Sequence, residues 1–304
     1  MKYLKLFRWP NLIIIILTQY LLKAAVFEPL LSAQGLAMPW DNIWFSLLII
    51  STLFIAIGGY LANDLADIEI DRINRPYRPV ASGEVSPGQA RAMQWFFEGA
   101  GLLLGLLVAI KAGNPLLVMF HVVVLVLMRL YATKLKYKGL AGNLVVALSS
   151  GLVVMMVRFY IKTALGPIDV DCSHIRIIVL FYAAFAFWFT LIREIAKDLE
   201  DLPGDKEMNC HTLAVRMPVR KLKYLLIILS GIGLNLILLF QFIVWQNIPG
   251  KELFVANFAA LDIIILFLLI PKLITANSSL DFGKIGNILK IIMFAGVLYM
   301  LFLL

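Results

Sequence analysis

The sequence predicts an all-α polytopic membrane protein whose nine transmembrane helices form one bundle around a central cavity. Three observations predict it. Mean hydropathy is +0.90 over 304 residues, apolar runs of ~17 to 25 residues recur along the whole chain, and Lys and Arg alternate between successive loops. With 62% hydrophobic and 15% charged residues, an ordinary soluble domain is excluded. No linker or low-complexity tract interrupts the runs, so residues 1–304 read as a single integral membrane domain.

The spans are expected at roughly 11 to 30, 43 to 62, 92 to 110, 114 to 131, 140 to 157, 176 to 193, 224 to 244, 253 to 271 and 285 to 303. Assigning bases at span ends to the nearer loop puts 21 of the 27 Lys and Arg on the side of the N-terminus and 5 on the other, with Lys23 inside span one. By the positive-inside rule the N-terminus and the loops after spans two, four, six and eight are cytoplasmic and the C-terminus is outside. The cell (plasma) membrane is the expected location. The bases form no continuous stripe, so the net charge of +8 does not point to nucleic acid.

Lys2, Lys5 and Arg8 ahead of an apolar run resemble a secretory signal, but Trp9 and Pro10 suit a membrane interface and the nine-span count requires this helix. Cys172 and Cys210 fall on opposite sides, which argues against a disulfide. His121, His174 and His211 are scattered without ligand spacing, which argues against zinc. Gly58, Gly59, Gly101 and Gly105 read as sites of close helix packing.

Against this background two acidic stretches stand out: Asp64-Leu-Ala-Asp67-Ile-Glu-Ile-Asp71-Arg72 and Asp198-Leu-Glu-Asp201-Leu-Pro-Gly-Asp205-Lys206. Both space their aspartates three and then four apart, which on a helix places i, i+3 and i+7 within ~60° of one another. Carboxylates so crowded repel unless a cation sits among them, and an all-oxygen set suits Mg²⁺. Both stretches follow out-to-in spans, two and six, and so face the cytoplasm.

The first is expected to continue span two as one helix, adding Asn63 as a neutral oxygen ligand. It leads into Arg72-Ile-Asn74-Arg75-Pro76-Tyr77-Arg78-Pro79, whose guanidinium groups suit phosphate oxygens. In the second, Arg193, Glu194 and Lys197 precede Asp198. Pro203 and Gly204 are expected to break the helix, leaving Asp205 on a loop. A third cytoplasmic segment, Arg129-Leu-Tyr131-Ala-Thr-Lys134-Leu-Lys136-Tyr137-Lys138, adds positive charge on the same side.

These motifs resemble the UbiA-type superfamily of intramembrane prenyltransferases. Its N-D-x-x-D-x-x-x-D motif is matched by Asn63, Asp64, Asp67 and Asp71, and its R-P-x-R-P-x-x-x-G by Arg75 to Gly83. Its second aspartate motif is matched by Asp198, Asp201 and Asp205. The resemblance implies two Mg²⁺ ions holding a polyprenyl diphosphate between the motifs. The candidate metal ligands are then Asn63, Asp64, Asp67, Asp71, Glu194, Asp198, Asp201 and Asp205. Asn63, Asp67, Asp71, Asp198 and Asp201 are the candidate catalytic groups. Phosphate-binding candidates are Arg72, Arg75, Arg78, Tyr131, Lys134, Lys136, Arg193 and Lys197.

The wording around the second motif, with the opening Phe7-Arg8-Trp9-Pro10-Asn11, is most similar to the digeranylgeranylglyceryl phosphate synthase branch. That branch implies transfer of a geranylgeranyl group from its diphosphate to geranylgeranylglyceryl phosphate through an allylic carbocation. The alternative acceptor is an aromatic quinone precursor of the homogentisate, dihydroxynaphthoate or hydroxybenzoate type. Asn209-Cys210-His211 departs from the glycine and base that relatives carry there. A CDP-alcohol phosphatidyltransferase would need a D-G-x-x-A-R motif, absent here, and a carrier would set its acids near the bilayer midplane.

Overall fold

The computed structural model describes residues 2–167, 173–247, 250 and 252–303; Cys172 lies outside them. Among the described residues nine helical segments are long and apolar enough to cross a membrane: α1 (Trp9–Ser32), α2 (Asn42–Ala66), α3 (Pro87–Lys111), α4 (Pro115–Leu135), α5 (Leu140–Leu165), α6 (Ser173–Glu207), α7 (Val219–Asn247), α8 (Glu252–Thr275) and α9 (Ser279–Leu303). Each contains or closely brackets its predicted span. The largest departure is α6, which runs to Glu207 because its polar end is buried against other protein groups.

Helix α6 is the axis of the bundle: α5, α9 and α7 pack along it, while α2 packs on α3, α4 and α1. At α6 six aromatic side chains, Phe181, Tyr182 and Phe185 with Phe240, Phe254 and Phe258 of α7 and α8, lock the end remote from the aspartates. Phe181 stacks on Phe240 at a centroid distance of 3.6 Å. Rings of this size contribute both buried area and a fixed geometry. Small residues bring α2, α3 and α4 together as expected: a Cβ on Gly101 would meet Ile55 and the Ser51 carbonyl at 3.0 to 3.1 Å, and one on Gly105 the His121 ring at 2.9 Å.

His121 itself is a packed, hydrogen-bonded group, with Nε2 2.8 Å from Ser51 Oγ and the Tyr160 hydroxyl 3.5 Å from Nδ1. Lys23 turns inward instead of reaching the membrane surface. It is 4% exposed, pairs with Glu28, bonds Asn42 Oδ1 at 3.0 Å and lies 5.8 Å from the centre of the Phe45 ring.

Both aspartate stretches depart from the expected local structure, in opposite senses. Helix α2 stops at Ala66, Asp67 adopts φ −101°, ψ 9°, and a short helix Ile68–Asn74 follows. That conformation lies in the sparsely occupied bridge region, where active-site residues are often found. The expected break at Pro203 does not occur: α6 passes through Pro203 and Gly204 to Glu207, so Asp205 stands on a helix.

Asn74 supplies the physical reason. Proline removes one backbone donor from α6, and the Asn74 side chain satisfies groups on both sides of it. Its Nδ2 donates to the Asp201 carbonyl at 3.0 Å and its Oδ1 accepts from Gly204 N–H at 3.0 Å.

Candidate active site

The kink at Asp67 sorts the first three carboxylates. Asp64 and Asp71 face one guanidinium: Arg78 donates to Asp64 at 3.0 Å and to Asp71 at 2.7 Å. Asp64 also accepts from Arg8 at 2.5 Å. Asp67 turns the other way, toward the loop between α4 and α5, where it accepts from Lys136, from the Tyr137 hydroxyl at 3.2 Å and from Asn63 Nδ2 at 2.8 Å. A π-helical turn at Tyr131–Leu135 ends α4, and Lys136 follows directly from it. Such turns are often functional.

On α6, Asp201 is held by Arg75 at 2.7 Å, and Glu200 by the same guanidinium at 3.3 Å. Glu194 takes Arg193 at 2.7 Å and Lys197 at 3.6 Å. Asp198 and Asp205 receive neutral donors only among the described residues: Asn143 Nδ2 at 3.0 Å and Thr212 Oγ1 at 3.0 Å. Tyr131 lies among Glu194, Asp67, Asp198 and Arg8, all within electrostatic reach of its hydroxyl. The loops close over this end through Gly139 N–H, which donates to the His211 carbonyl at 3.1 Å.

The carboxylates are therefore gathered at one end of the bundle, with Asp198, Glu200 and Asp201 half-buried and the others buried: Asp64, Asp71 and Asp205 are each 3% exposed and Asp67 is 1% exposed. Burial works to raise the Asp67 carboxyl, but the Lys136 ammonium, with Lys197 and Arg78 beyond it, holds it below the ordinary value. For Asp71 burial wins over Arg78, and the carboxyl is raised. Burial and the Asp67 charge push the Tyr137 hydroxyl up, so it stays a donor.

Two predicted phosphate ligands are not brought in. Arg72 points outward and pairs with exposed Glu69 at 2.9 Å, because the kink at Asp67 rotates the helix that carries both. Lys134 is exposed on the outer side of the π turn. Arg8, Asn74, Tyr137, Asn143 and Thr212, which the sequence does not mark as candidates, also contact the carboxylates or their supports. Arg8 and Asn143 carried a signal, a base at the mouth of span one and an amide inside an apolar span; the other three carried none.

Residues 21–277 match the UbiA prenyltransferase family. The chain belongs to that family. Digeranylgeranylglyceryl phosphate synthase of Saccharolobus solfataricus is 36% identical over 196 residues, which are 61% of this chain and 64% of that protein; the match spans less than two thirds of the relative. Among solved structures, one described for a digeranylgeranylglyceryl phosphate synthase in membranes superposes with TM-score 0.64 at 24% identity, covering 99% of this chain and 96% of the other. A UbiA homolog from Archaeoglobus fulgidus bound to GPP and Mg²⁺ gives 0.60 at 17% identity, covering 99% of each chain. At these identities the structures establish a shared fold.

The donor set of this UbiA family member fits a divalent ion. It consists of carboxylate and amide oxygens, the hard ligands that Mg²⁺ prefers. Among the described residues Asn63 Oδ1 is buried without a hydrogen-bond partner, and Asp198 and Asp205 form no ion pair. Among the described residues no three acidic, His or Cys side chains stand close enough to hold an ion as they are. The reason is visible: Arg78, Arg75, Lys136 and Arg8 occupy the carboxylate oxygens. A metal ion bound here would displace those bases from the carboxylates.

Proposed function

We propose that this chain transfers a geranylgeranyl group from its diphosphate to geranylgeranylglyceryl phosphate in the membrane. The observation that carries this reading is the junction of the two aspartate motifs through Arg75 and Asn74, which sets the carboxylates of both motifs and the bases that pair with them around one end of an apolar bundle. The name of the S. solfataricus relative supports the donor and acceptor. The GPP and Mg²⁺ bound to the A. fulgidus homolog support a divalent ion and a prenyl diphosphate.

Asn63, Asp64, Asp67 and Asp71 would hold one Mg²⁺, and Asp198, Asp201 and Asp205 a second, with Glu194 nearby. When bound, Mg²⁺ supplies positive charge that offsets the diphosphate. Arg78, Arg75 and Lys136, released from their carboxylates, bind the diphosphate oxygens and stabilise the leaving group as the allylic C–O bond breaks. Tyr137 remains protonated beside them, and it and Tyr131 orient the phosphate. The apolar bundle holds the isoprenoid tail and excludes water from the allylic cation until the acceptor hydroxyl oxygen captures it and gives up its proton to the released diphosphate. The motif end faces the cytoplasm with the N-terminus, the C-terminus lies outside, and the plasma membrane is the location.

The test is a panel of acceptors offered to purified protein with geranylgeranyl diphosphate and Mg²⁺, read by mass spectrometry. Prenylated glyceryl phosphate is the expected product, and diphosphate release is lost in Asp67→Ala and Asp198→Ala proteins that still fold. Transfer to an aromatic quinone precursor alone would replace this acceptor assignment.

A further inference from the structure

Lys290 has no place in the site as described, yet α9 delivers it to the same depth as Arg193. The antiparallel packing of α9 on α6 fixes the register. A Cβ on Gly283 would stand 3.1 Å from Glu200 Oε1, and one on Gly296 2.5 Å from Phe185 Cζ. Near the start of α9, the Ser279 hydroxyl donates to the Glu200 carbonyl. Stepping seven residues along each helix from Gly283 and Glu200 brings Lys290 opposite Arg193. The charged side chains around the Lys290 ammonium are Arg193, Glu200, Arg75 and Glu194.

Both cations lie within membrane-spanning segments, where an ionisable side chain needs a partner. Arg193 and Lys197 already share Glu194, and Glu200 is taken by Arg75. Lys290 is half-buried and forms no ion pair among the described residues. Lys290 is thus a cation without a paired carboxylate beside the Arg193–Glu194–Lys197 group, and a phosphomonoester of about −1.5 to −2 would supply the missing negative charge.

We propose that Lys290 and Arg193, supported by Lys197, bind the phosphate of a phosphomonoester acceptor. This rests on the acceptor class proposed above. Arg193 stands five residues from Asp198, about 8 Å along α6, so the site adjoins the second aspartate motif without using its carboxylates. In a glyceryl phosphate the free hydroxyl lies only a few bonds from the phosphate. Anchoring the phosphate at α6 and α9 therefore brings the hydroxyl toward the carboxylates that hold the donor. It also gives the enzyme a means of rejecting an acceptor without phosphate.

Steady-state kinetics of Lys290→Met and Lys290→Arg test this with geranylgeranylglyceryl phosphate and its dephosphorylated alcohol as acceptors. Lys290→Met is expected to raise KM for the phosphorylated acceptor about 10- to 100-fold, the loss of one charge-assisted hydrogen bond. KM for geranylgeranyl diphosphate stays within about twofold, preference for the phosphorylated acceptor falls, and Lys290→Arg restores most of it. Inorganic phosphate, competitive with the acceptor in wild type, loses potency in Lys290→Met. An unchanged acceptor KM, or an equal rise in donor KM, would overturn the assignment. Failure of wild type to use the phosphorylated lipid would overturn the proposed acceptor itself.

Discussion

Asn74 and Gly204 are fitted to each other. The Gly204 N–H donates to Asn74 Oδ1 at 3.0 Å, and a Cβ on Gly204 would stand 2.6 Å from that same oxygen. The contact is the point where the segment after the first aspartate motif meets α6 at its proline, so it sets where Arg75 and Asp201 lie. Gly204→Ala must expel the amide, and Asn74→Ala removes it. Each change is expected to cost about 1–3 kcal/mol from unmade hydrogen bonds and to raise the Mg²⁺ concentration needed for half-maximal transfer. Because both break one contact, the double variant should be scarcely worse than either single one. Additive losses in thermal melts and metal titrations would show that the two residues act separately.

Much of this arrangement was legible in the chain. Long apolar runs give the nine membrane-length helices of the described residues because lipid leaves backbone groups no other partner, and the position of both aspartate stretches directly after spans two and six puts the carboxylates at one end. The local geometry was not legible. Pro203-Gly204 reads as a helix break, but a side chain from 130 residues away repairs it. The stretch at Asp67, without a breaker, is kinked where Lys136, Tyr137 and Asn63 draw its carboxylate aside. Those forces are tertiary, and a periodicity argument sees only neighbours along the chain. The same kink turns Arg72 outward to Glu69 and leaves Arg78 between Asp64 and Asp71.

Lys136 neutralises Asp67, whose side chain is 1% exposed. Removing one member of a buried pair leaves the other uncompensated, at a cost of about 3–5 kcal/mol. Lys136→Met is therefore expected to melt well below wild type without metal. Mg²⁺ no longer competes with an ammonium at Asp67, so added Mg²⁺ should raise the melting temperature of the variant by more than it raises that of wild type. Transfer should remain impaired at saturating Mg²⁺, since the phosphate loses a cation. Equal Mg²⁺ shifts in the two proteins would mean that Asp67 is not a metal ligand.

Gly105→Ala offers a contrast, a defect of packing alone. The new Cβ would lie 2.9 Å from His121 Nδ1, and His121 cannot retreat without stretching its bond to Ser51, 2.8 Å long. Overpacking of this kind costs about 1–3 kcal/mol. The expected result is a lower melting temperature with donor and acceptor KM unchanged per folded molecule. A KM change would place this polar trio in the substrate path.

Arg8 adopts φ 54°, ψ 51°, a left-handed conformation that costs a residue with a Cβ about 1–3 kcal/mol. It is held there by the 2.5 Å contact with Asp64 and by the Tyr60 ring, whose centre lies 4.9 Å from the guanidinium. Arg8→Gly removes the strain together with the contact, and Asp64 keeps Arg78, so no buried charge is orphaned. Stability is expected to stay within about 1 kcal/mol of wild type because the two losses offset. Transfer is expected to fall at least about tenfold in kcat/KM, equivalent to about 1.4 kcal/mol. Arg8→Lys, which keeps the charge but not the planar fork over Tyr60, should recover only part of it. Full activity in Arg8→Gly would reduce Arg8 to a residue that shapes the entry of α1, and the strain would then have no catalytic counterpart.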